Sequence, residues 1–464
     1  MVALRLVAVL VLFTVSGAQA SALAQPAPDA SEQPAPTAPP PAPPAPPGPP
    51  APPAPPAPPA PPAPPASPAP PPAPAPPASD NVLRLYGTVN ARVVVSSAAV
   101  ESFNQPNAVA PTAAGNPVFA TLPDEARFSL QVAQSRFGLW VNEKGTLRGQ
   151  VEVDFVDFAK ATPTVQALPR LRIARVDWVP APGHTLSLGQ DWDLASPLNA
   201  HGINLVGTLF VAGNTGFMRQ QLKYLHTQDS YEVGVALGFP AANATAKDAA
   251  FELGVTPTFA ARGAYKFGAS RVGATVIASR LTYALGTPQE RRGTSYEGAL
   301  FAELIPVPTT TVRVELNLGQ NTSNLGMLSL SQGRTDKDIR DMGGFISARQ
   351  ALSSQHAVYA MAGLQRVRNP GDVVPAYAYP ATAPGGERPA VSTAALSGTG
   401  PGMRRNGAAR LGYEFKPGSA LSLAVEGFLY QSHHVLQAPD VVDLGADGGR
   451  RTTVGLETGM LFTF

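Results

Sequence analysis

From Asn81 to the last residue the chain alternates apolar and polar side chains with a period of two, the spacing of half-buried β-strands. In the first such segment Leu83, Leu85, Val89, Ala91, Val93 and Val95 fall on one face, and Arg84, Tyr86, Thr88, Asn90 and Arg92 on the other. The pattern returns in Leu147, Val151, Val153 and Phe155 against Arg148, Gln150, Glu152 and Asp154. It returns again in Val312, Val314, Leu316 and Leu318 against Arg313, Glu315 and Asn317. No stretch sustains a period of 3.6, so few helices are expected. About sixteen strand segments are predicted, the first near 82–96 and the last at 451–464. Short connections such as Glu143-Lys144-Gly145 and Gly268-Ala269 take turns with long ones at 97–125, 193–217, 321–340 and 368–403.

Two all-β architectures produce such alternation. A soluble sandwich closes within roughly 100 residues, whereas here the pattern runs over some 385 residues without a domain break. Long and short connections in turn suit an antiparallel up-and-down transmembrane β-barrel, with tight turns at one end and long loops at the other. The last strand places Leu456, Thr458, Met460, Phe462 and Phe464 on one face. An apolar alternating strand ending in phenylalanine resembles the C-terminal signal of bacterial outer-membrane barrels.

The N-terminal region reads differently. Residues 1–24 have the layout of a secretory signal: Arg5, an apolar run from Leu6 to Val15, and small-residue cleavage sites at Ala18-Gln19-Ala20 and Ala22-Leu23-Ala24. The apolar run is too short to cross roughly 30 Å of hydrocarbon as a helix. Thirty of the 52 prolines lie between Pro26 and Pro77, and no charged residue occurs from Gln33 to Ser79. Residues 25–79 are therefore expected to be a disordered or polyproline II linker in the periplasm, without a packed core. That leaves 80–464 as the barrel. Its 33 Lys+Arg against 30 Asp+Glu is too balanced for a nucleic-acid binder working by bulk charge. The absence of cysteine excludes disulfides, zinc–thiolate sites and thiol nucleophiles.

Ser135-Arg136-Phe137-Gly138, Val151-Glu152-Val153-Asp154-Phe155, Leu171-Arg172-Ile173-Ala174-Arg175-Val176 and Leu188-Gly189-Gln190-Asp191-Trp192 occur in an order that resembles the general bacterial porins. The run Gly213-Asn214-Thr215-Gly216-Phe217-Met218-Arg219-Gln220, leading into a strand, is similar to the DcaP-like trimeric porins. The resemblance covers about residues 82–240 and is compositional beyond them. It implies a sixteen-stranded barrel, a homotrimer in outer-membrane lipid, and passive uptake of small, preferentially anionic solutes such as carboxylates. Members of that family carry a coiled-coil extension where this chain has its proline tract, which leaves any coiled-coil contribution to trimer formation without a counterpart here.

A barrel of this size leaves a water-filled lumen, so no cofactor, metal or catalytic residue is expected. The polar faces offer Arg84, Arg92, Arg136, Arg148, Arg175, Arg262 and Arg313 as pore-lining cations, since a guanidinium keeps its charge and can clasp a carboxylate bidentately. Glu152 and Asp154 line the same faces, and the alternative for every one of these charges is pairing across strands to stiffen the wall. The connection 193–217 is the candidate constriction loop, with Asp193, Asn199, Asn204, Asn214 and the following Arg219 as its polar residues. Two rival readings stand beside the pore. One is a structural tether reaching peptidoglycan or a periplasmic partner through the proline tract. The other is a barrel enzyme, for which none of the six histidines sits in a nucleophile setting. His433 and His434 are adjacent, so on a strand they point to opposite faces.

Overall fold

Sixteen strands pair with their sequence neighbours, all antiparallel, and the last pairs with the first. In the computed structural model, the described residues are 82–98, 126–155 without 133, 158–160, 165–167, 169–204, 209–239, 257–283, 291–325, 337–373, 376–377, 403–434, 436–437 and 450–464. The expected signal sequence and proline linker lie outside them. The strands are β1 (Leu83–Ser96), β2 (Arg127–Gln131, continued by Arg136–Val141), β3 (Leu147–Asp154), β4 (Arg170–Ala181), β5 (His184–Trp192), β6 (Met218–Thr227), β7 (Tyr231–Gly238) and β8 (Thr258–Phe267). They continue as β9 (Ser270–Tyr283), β10 (Arg291–Val307), β11 (Thr310–Gln320), β12 (Arg340–Ala351), β13 (His356–Val367), β14 (Met403–Phe415), β15 (Leu421–His434) and β16 (Arg450–Thr463).

Closure follows from pairing Thr88–Ser96 of β1 with Gly455–Thr463 of β16, while Leu83–Thr88 pairs with β2. Phe464 and Gly87 then exchange backbone hydrogen bonds of 3.1 Å in both directions. A closed barrel leaves no unpaired edge, which hydrocarbon requires because it offers no water to backbone donors and acceptors. No described helix is long and apolar enough to cross a membrane.

The alternation expected from the sequence is realised. Leu85, Leu188, Leu300, Leu316 and Leu411 are exposed on the outer wall, and their neighbours along each strand face inward. Met460, Phe462 and Phe464 are likewise exposed. At one end the turns are short, 182–183, 268–269 and 308–309 among them; at the other the connections are long. The long-loop end is the extracellular one by the architecture of such barrels.

Two local departures have physical causes. β2 breaks at 132–135, where Ser135 turns back to hydrogen-bond Val132 and its hydroxyl accepts from the Asn90 backbone N–H at 3.1 Å. β4 carries a bulge at Arg172: Glu152 pairs with Ile173 but Val153 pairs with Leu171. Arg172 and Ile173 are therefore both buried on the inner side, and the Gln190 amide donates to the carbonyls of Leu171 and Arg172. Tyr86, on the polar face of β1, faces inward as that alternation expects, and its hydroxyl donates to Glu152 at 3.2 Å.

Candidate functional site: a loop folded into the barrel

The connection between β5 and β6 leaves and rejoins the wall through one backbone hydrogen bond, Asp193 N–H to Phe217 O, 2.9 Å. Asp193 caps its own turn by accepting from the Ala195 N–H at 2.9 Å, and takes the Arg219 Nε–H at 2.5 Å. Arg219 also donates to the carbonyls of Phe239 and Leu325, so this base is a buried, fully engaged charge pair.

From there the segment crosses to strands far away in sequence. The Ile203 N–H donates to Glu426 on β15 (2.7 Å), and the His201 N–H to Ser347 on β12 (3.0 Å). Asn90 on β1 donates to Ile203 O (3.2 Å), and Gln134 to Asn204 Oδ1 (2.5 Å). Thr215 donates to Glu297 on β10 (2.7 Å), Asn317 on β11 to Gly213 O (2.7 Å), and Asn406 on β14 to Val211 O (3.3 Å). Every one of these wall residues is on the inner face, so the loop lies inside the barrel.

Apolar contact seats it. Leu198, Ala200, Leu209 and Ala212 form one buried cluster with Phe301, Phe345, Tyr359, Met361, Phe428 and Tyr430 on the inner faces of β10, β12, β13 and β15. A buried leucine contributes about 2 kcal/mol of hydrophobic stabilisation. Glycines let the backbones meet: a Cβ on Gly213 (φ +106°) would stand 2.1 Å from Gly344 O, and one on Gly363 would stand 2.0 Å from Ala212 O. The loop tip holds Leu209 at φ 60° and Val211 at φ 63°, left-handed conformations that are costly for such side chains and persist only where the surroundings fix them.

Beneath and beside the loop the inner wall carries paired charges. Arg92 is buried against Glu457, which also receives Arg410 (2.9 Å); Arg410 reaches Glu426 (2.5 Å) and Tyr430, and Tyr359 donates to Glu426 (2.6 Å). On the neighbouring wall of β3 and β4 Arg172 bridges Glu152 (2.7 Å) and Asp154 (3.0 Å), and Arg170 adds to Asp154 (2.8 Å). Arg148 and Arg175 both reach Asp177, and Arg175 and Lys223 share Asp191. Arg175 also lies over the Trp140 ring at 5.6 Å. Arg271 and Arg313 share Glu303, Arg349 pairs with Glu414, and Arg262 with Glu232 at 2.8 Å.

The residues picked out from sequence fall into distinct places. Arg148, Arg175, Arg262 and Arg313 are inner-face and partly water-facing. Arg136 is inner-face at the start of the second half of β2. Arg84 sits at the short-turn end, clasping Glu143 bidentately at 2.6 and 2.7 Å. Arg92, Glu152 and Asp154 face inward and are buried against their ion-pair partners, the cross-strand pairing that stood as the alternative for each charge, and Arg92 lies under the loop. Asp193, Asn204 and Asn214 of the loop and Arg219 of β6 are buried anchors, while Asn199 of the loop is exposed and offers its carbonyl to Arg313 at 2.9 Å. Arg170, Arg271 and Arg349 follow the same alternation and join the water-facing set, and Glu426 joins the anchors. Glu315, flanked in register by Phe301 and Phe345, is buried with neither carboxylate oxygen hydrogen-bonded among the described residues. No group of three or more metal-type ligands occurs among the described residues.

No protein-family model matches the sequence, and no curated protein matches it. Solved structures do. The outer membrane channel DcaP of Acinetobacter baumannii superposes with a TM-score of 0.56 at 12% identity, over 82% of this chain and 97% of that one. OmpF of Salmonella typhi, solved with daunomycin, superposes with a TM-score of 0.51 at 11% identity, over 83% and 98%. At such identity the likeness speaks for the fold: this chain is a closed, sixteen-stranded barrel of the porin type with a loop folded inside it.

Proposed function

We propose that the chain is an outer-membrane porin, assembled as a homotrimer, that passes small hydrophilic solutes by diffusion and favours anions. The reading rests on the inward-folded loop, whose seat is dry and apolar on the β10–β15 side. That packing pushes the aqueous path toward the arginine-bearing wall of β2–β6.

One observation carries the charge preference. The bore is nearly balanced in formal charge, but its acids are recessed behind its arginines. The Arg148 side chain is 29% exposed and its partner Asp177 1%; for Arg170 and Asp154 the values are 21% and 0%, and for Arg349 and Glu414 28% and 17%. A solute in the bore therefore meets guanidinium groups first, and low-dielectric walls focus that field. Each arginine keeps free donors beyond its structural bond, which suits brief bidentate contact with a carboxylate. Binding stays weak because the neighbouring acids cancel most of the charge, and weak binding is what throughput requires.

The test is planar-bilayer recording of the purified chain. The reading expects ohmic channels closing in three equal steps, and a reversal potential under a KCl gradient that favours chloride. Cation selectivity would remove the charge preference, and absence of conductance would remove the pore.

A further inference from the structure

The loop has two limbs whose anchors lie at different depths in the barrel. The outgoing limb, 197–203, gives the Pro197 and Asn199 carbonyls to Arg271 (3.2 Å) and Arg313 (2.9 Å), and its His201 N–H to Ser347 (3.0 Å). The returning limb, 211–215, is held by Asn406, Asn317 and Glu297. On β10 and β11, Glu297 and Asn317 stand further from the short turn at 308–309 than Glu303 and Arg313 do. The outgoing limb is therefore the periplasmic side of the loop, and the wall below it faces the periplasmic mouth.

That wall carries an excess of positive charge. Arg271 and Arg313 share Glu303 (3.0 and 2.8 Å), while Arg349 and Lys416 share Glu414 (2.8 and 3.2 Å). Four cations against two carboxylates leave two positive charges, whereas the adjoining tier of Arg92, Arg410, Glu426 and Glu457 is neutral. The guanidinium groups are not exhausted by these bonds. Arg271 engages Nε and Nη2, Arg313 Nε and Nη1, and Arg349 Nε and Nη2. Each keeps one terminal nitrogen outside its protein contacts, on a side chain that is 26–28% exposed to the bore.

His201 closes the group from the loop side. Its bond to Ser347 sets it between Arg313, which faces Ser347 in register, and Arg349, two residues further along β12. Diagonal neighbours across a sheet stand about 7–8 Å apart, so both guanidinium groups can turn toward one small anion. The His201 Nε2 is buried there without a hydrogen-bond partner. A buried polar atom left alone marks a place for a water or an ion. Beside two uncompensated positive charges, that ion is an anion. With its proton on Nε2 the imidazole is a third donor.

We propose that Arg313, Arg349 and His201 form a binding site for a phosphate dianion, free or as the head of a monoester, on the periplasmic side of the loop. Two observations favour phosphate over a carboxylate. The surplus charge matches a phosphate monoester, which carries about −1.5 to −2 near neutral pH, and exceeds that of a single carboxylate. The donors also converge from two directions, the wall and the loop. A tetrahedral group offers oxygens to both, whereas a carboxylate holds its two in one plane. The site deepens the anion preference proposed above and rests on that reading's water-filled bore. Lying below the loop, it retains a phosphate solute that has already passed the constriction.

The experiment uses the purified full-length chain in detergent, with binding read by isothermal titration calorimetry at fixed ionic strength. The buffer is held at about pH 8, where a phosphate monoester is a dianion. Probes are inorganic phosphate, glycerol phosphate and succinate, the last a dicarboxylate of the same charge. Both phosphates should bind about tenfold or more tightly than succinate. Arg313→Gln and Arg349→Gln should each weaken phosphate binding about tenfold, the loss of one charge-assisted hydrogen bond. Each variant leaves the shared carboxylate a partner, Arg271 on Glu303 or Lys416 on Glu414, so the wall stays intact. His201→Leu, which removes the loop's donor and no wall charge, should bring phosphate affinity down toward that of succinate. Inorganic phosphate bound more tightly than glycerol phosphate assigns the site to the free ion; the reverse, or equality, assigns it to the ester. Succinate bound as tightly as phosphate by the wild type overturns the proposal without reference to any variant. So does any of the three variants binding phosphate like the wild type. Planar-bilayer conductance separates the two readings. A chain that prefers phosphate but passes no current sinks the pore reading alone, and a chloride-selective channel without phosphate preference sinks this proposal alone.

Discussion

Glu426 is the residue on which the loop's position depends most. Its buried carboxylate accepts from the Ile203 N–H of the loop (2.7 Å), from the Tyr359 hydroxyl (2.6 Å) and from Arg410 (2.5 Å). The surrounding network is neutral: Arg92 and Arg410 against Glu426 and Glu457. Glu426→Gln leaves two guanidinium groups sharing one carboxylate in a dry site. Breaking one half of a buried ion pair costs about 3–5 kcal/mol, and hydrogen bonds to a neutral amide recover about half of what the charged acceptor supplied. With an unfolding entropy of about 2.1 cal/mol/K per residue, a barrel of this length shifts by about 1 °C per kcal/mol, so the melting temperature should fall by about 2–3 °C. Thermal loss of β-sheet ellipticity in detergent reads that directly. Chymotrypsin should then cut at the loop tip, where Leu209 and Phe210 are buried in the wild type. Adding Arg410→Met to Glu426→Gln restores charge balance, because Arg92 and Glu457 remain a pair, and should recover most of the loss. The reasoning is refuted if the single variant melts with the wild type and keeps its loop protected, or if the double variant is worse than the single.

Three further outcomes follow from the same geometry. Gly213→Ala places a Cβ against Gly344 O at a positive φ, so the loop tip should lift and single-channel conductance should rise and become noisier; an unchanged trace contradicts the close packing. Burial, with Arg313 and Arg349 nearby, pushes His201 in the loop down from 6.5 to about 4. Its neutral form is therefore favoured in the seated loop, and that contribution is complete above pH 6.5 and lost as pH falls from there toward about 4. Current fluctuations should grow over that window, and His201→Asn should flatten the response. Glu315 has no hydrogen-bond partner among the described residues between its two phenylalanine neighbours, so Glu315→Met should raise stability by about 1–3 kcal/mol, the cost of a buried polar group left unpaired, measured by the urea midpoint.

Strand order, barrel closure and the outward residues could be read from the sequence because each depends only on a period of two and on turn spacing. The alternation of Leu83 to Val95 with Arg84 to Arg92 appears unchanged in β1. The loop was legible as a long, glycine-bearing connection, but its seat was not. Ile203 meets Glu426 across 223 residues of sequence, and no local pattern encodes such a pairing. The same contact explains the inner-face aromatics. Phe301, Phe345, Tyr359 and Phe428 interrupt the polar-inside rule because the loop, not water, covers them. Which arginines meet water was hidden for that reason too: Arg92 and Arg148 look alike on their strands, and only the loop's position buries the first and leaves the second partly exposed. The bulge at Arg172 left no mark beyond two adjacent inward residues.

The central claim is that water fills a continuous path past the loop. Osmotic swelling of liposomes containing the purified chain tests this without any assumption about charge. The account predicts rapid swelling in a pentose, slower swelling in a disaccharide and none in a large dextran. Liposomes that do not swell in any of the three, or that swell equally in all, would contradict it.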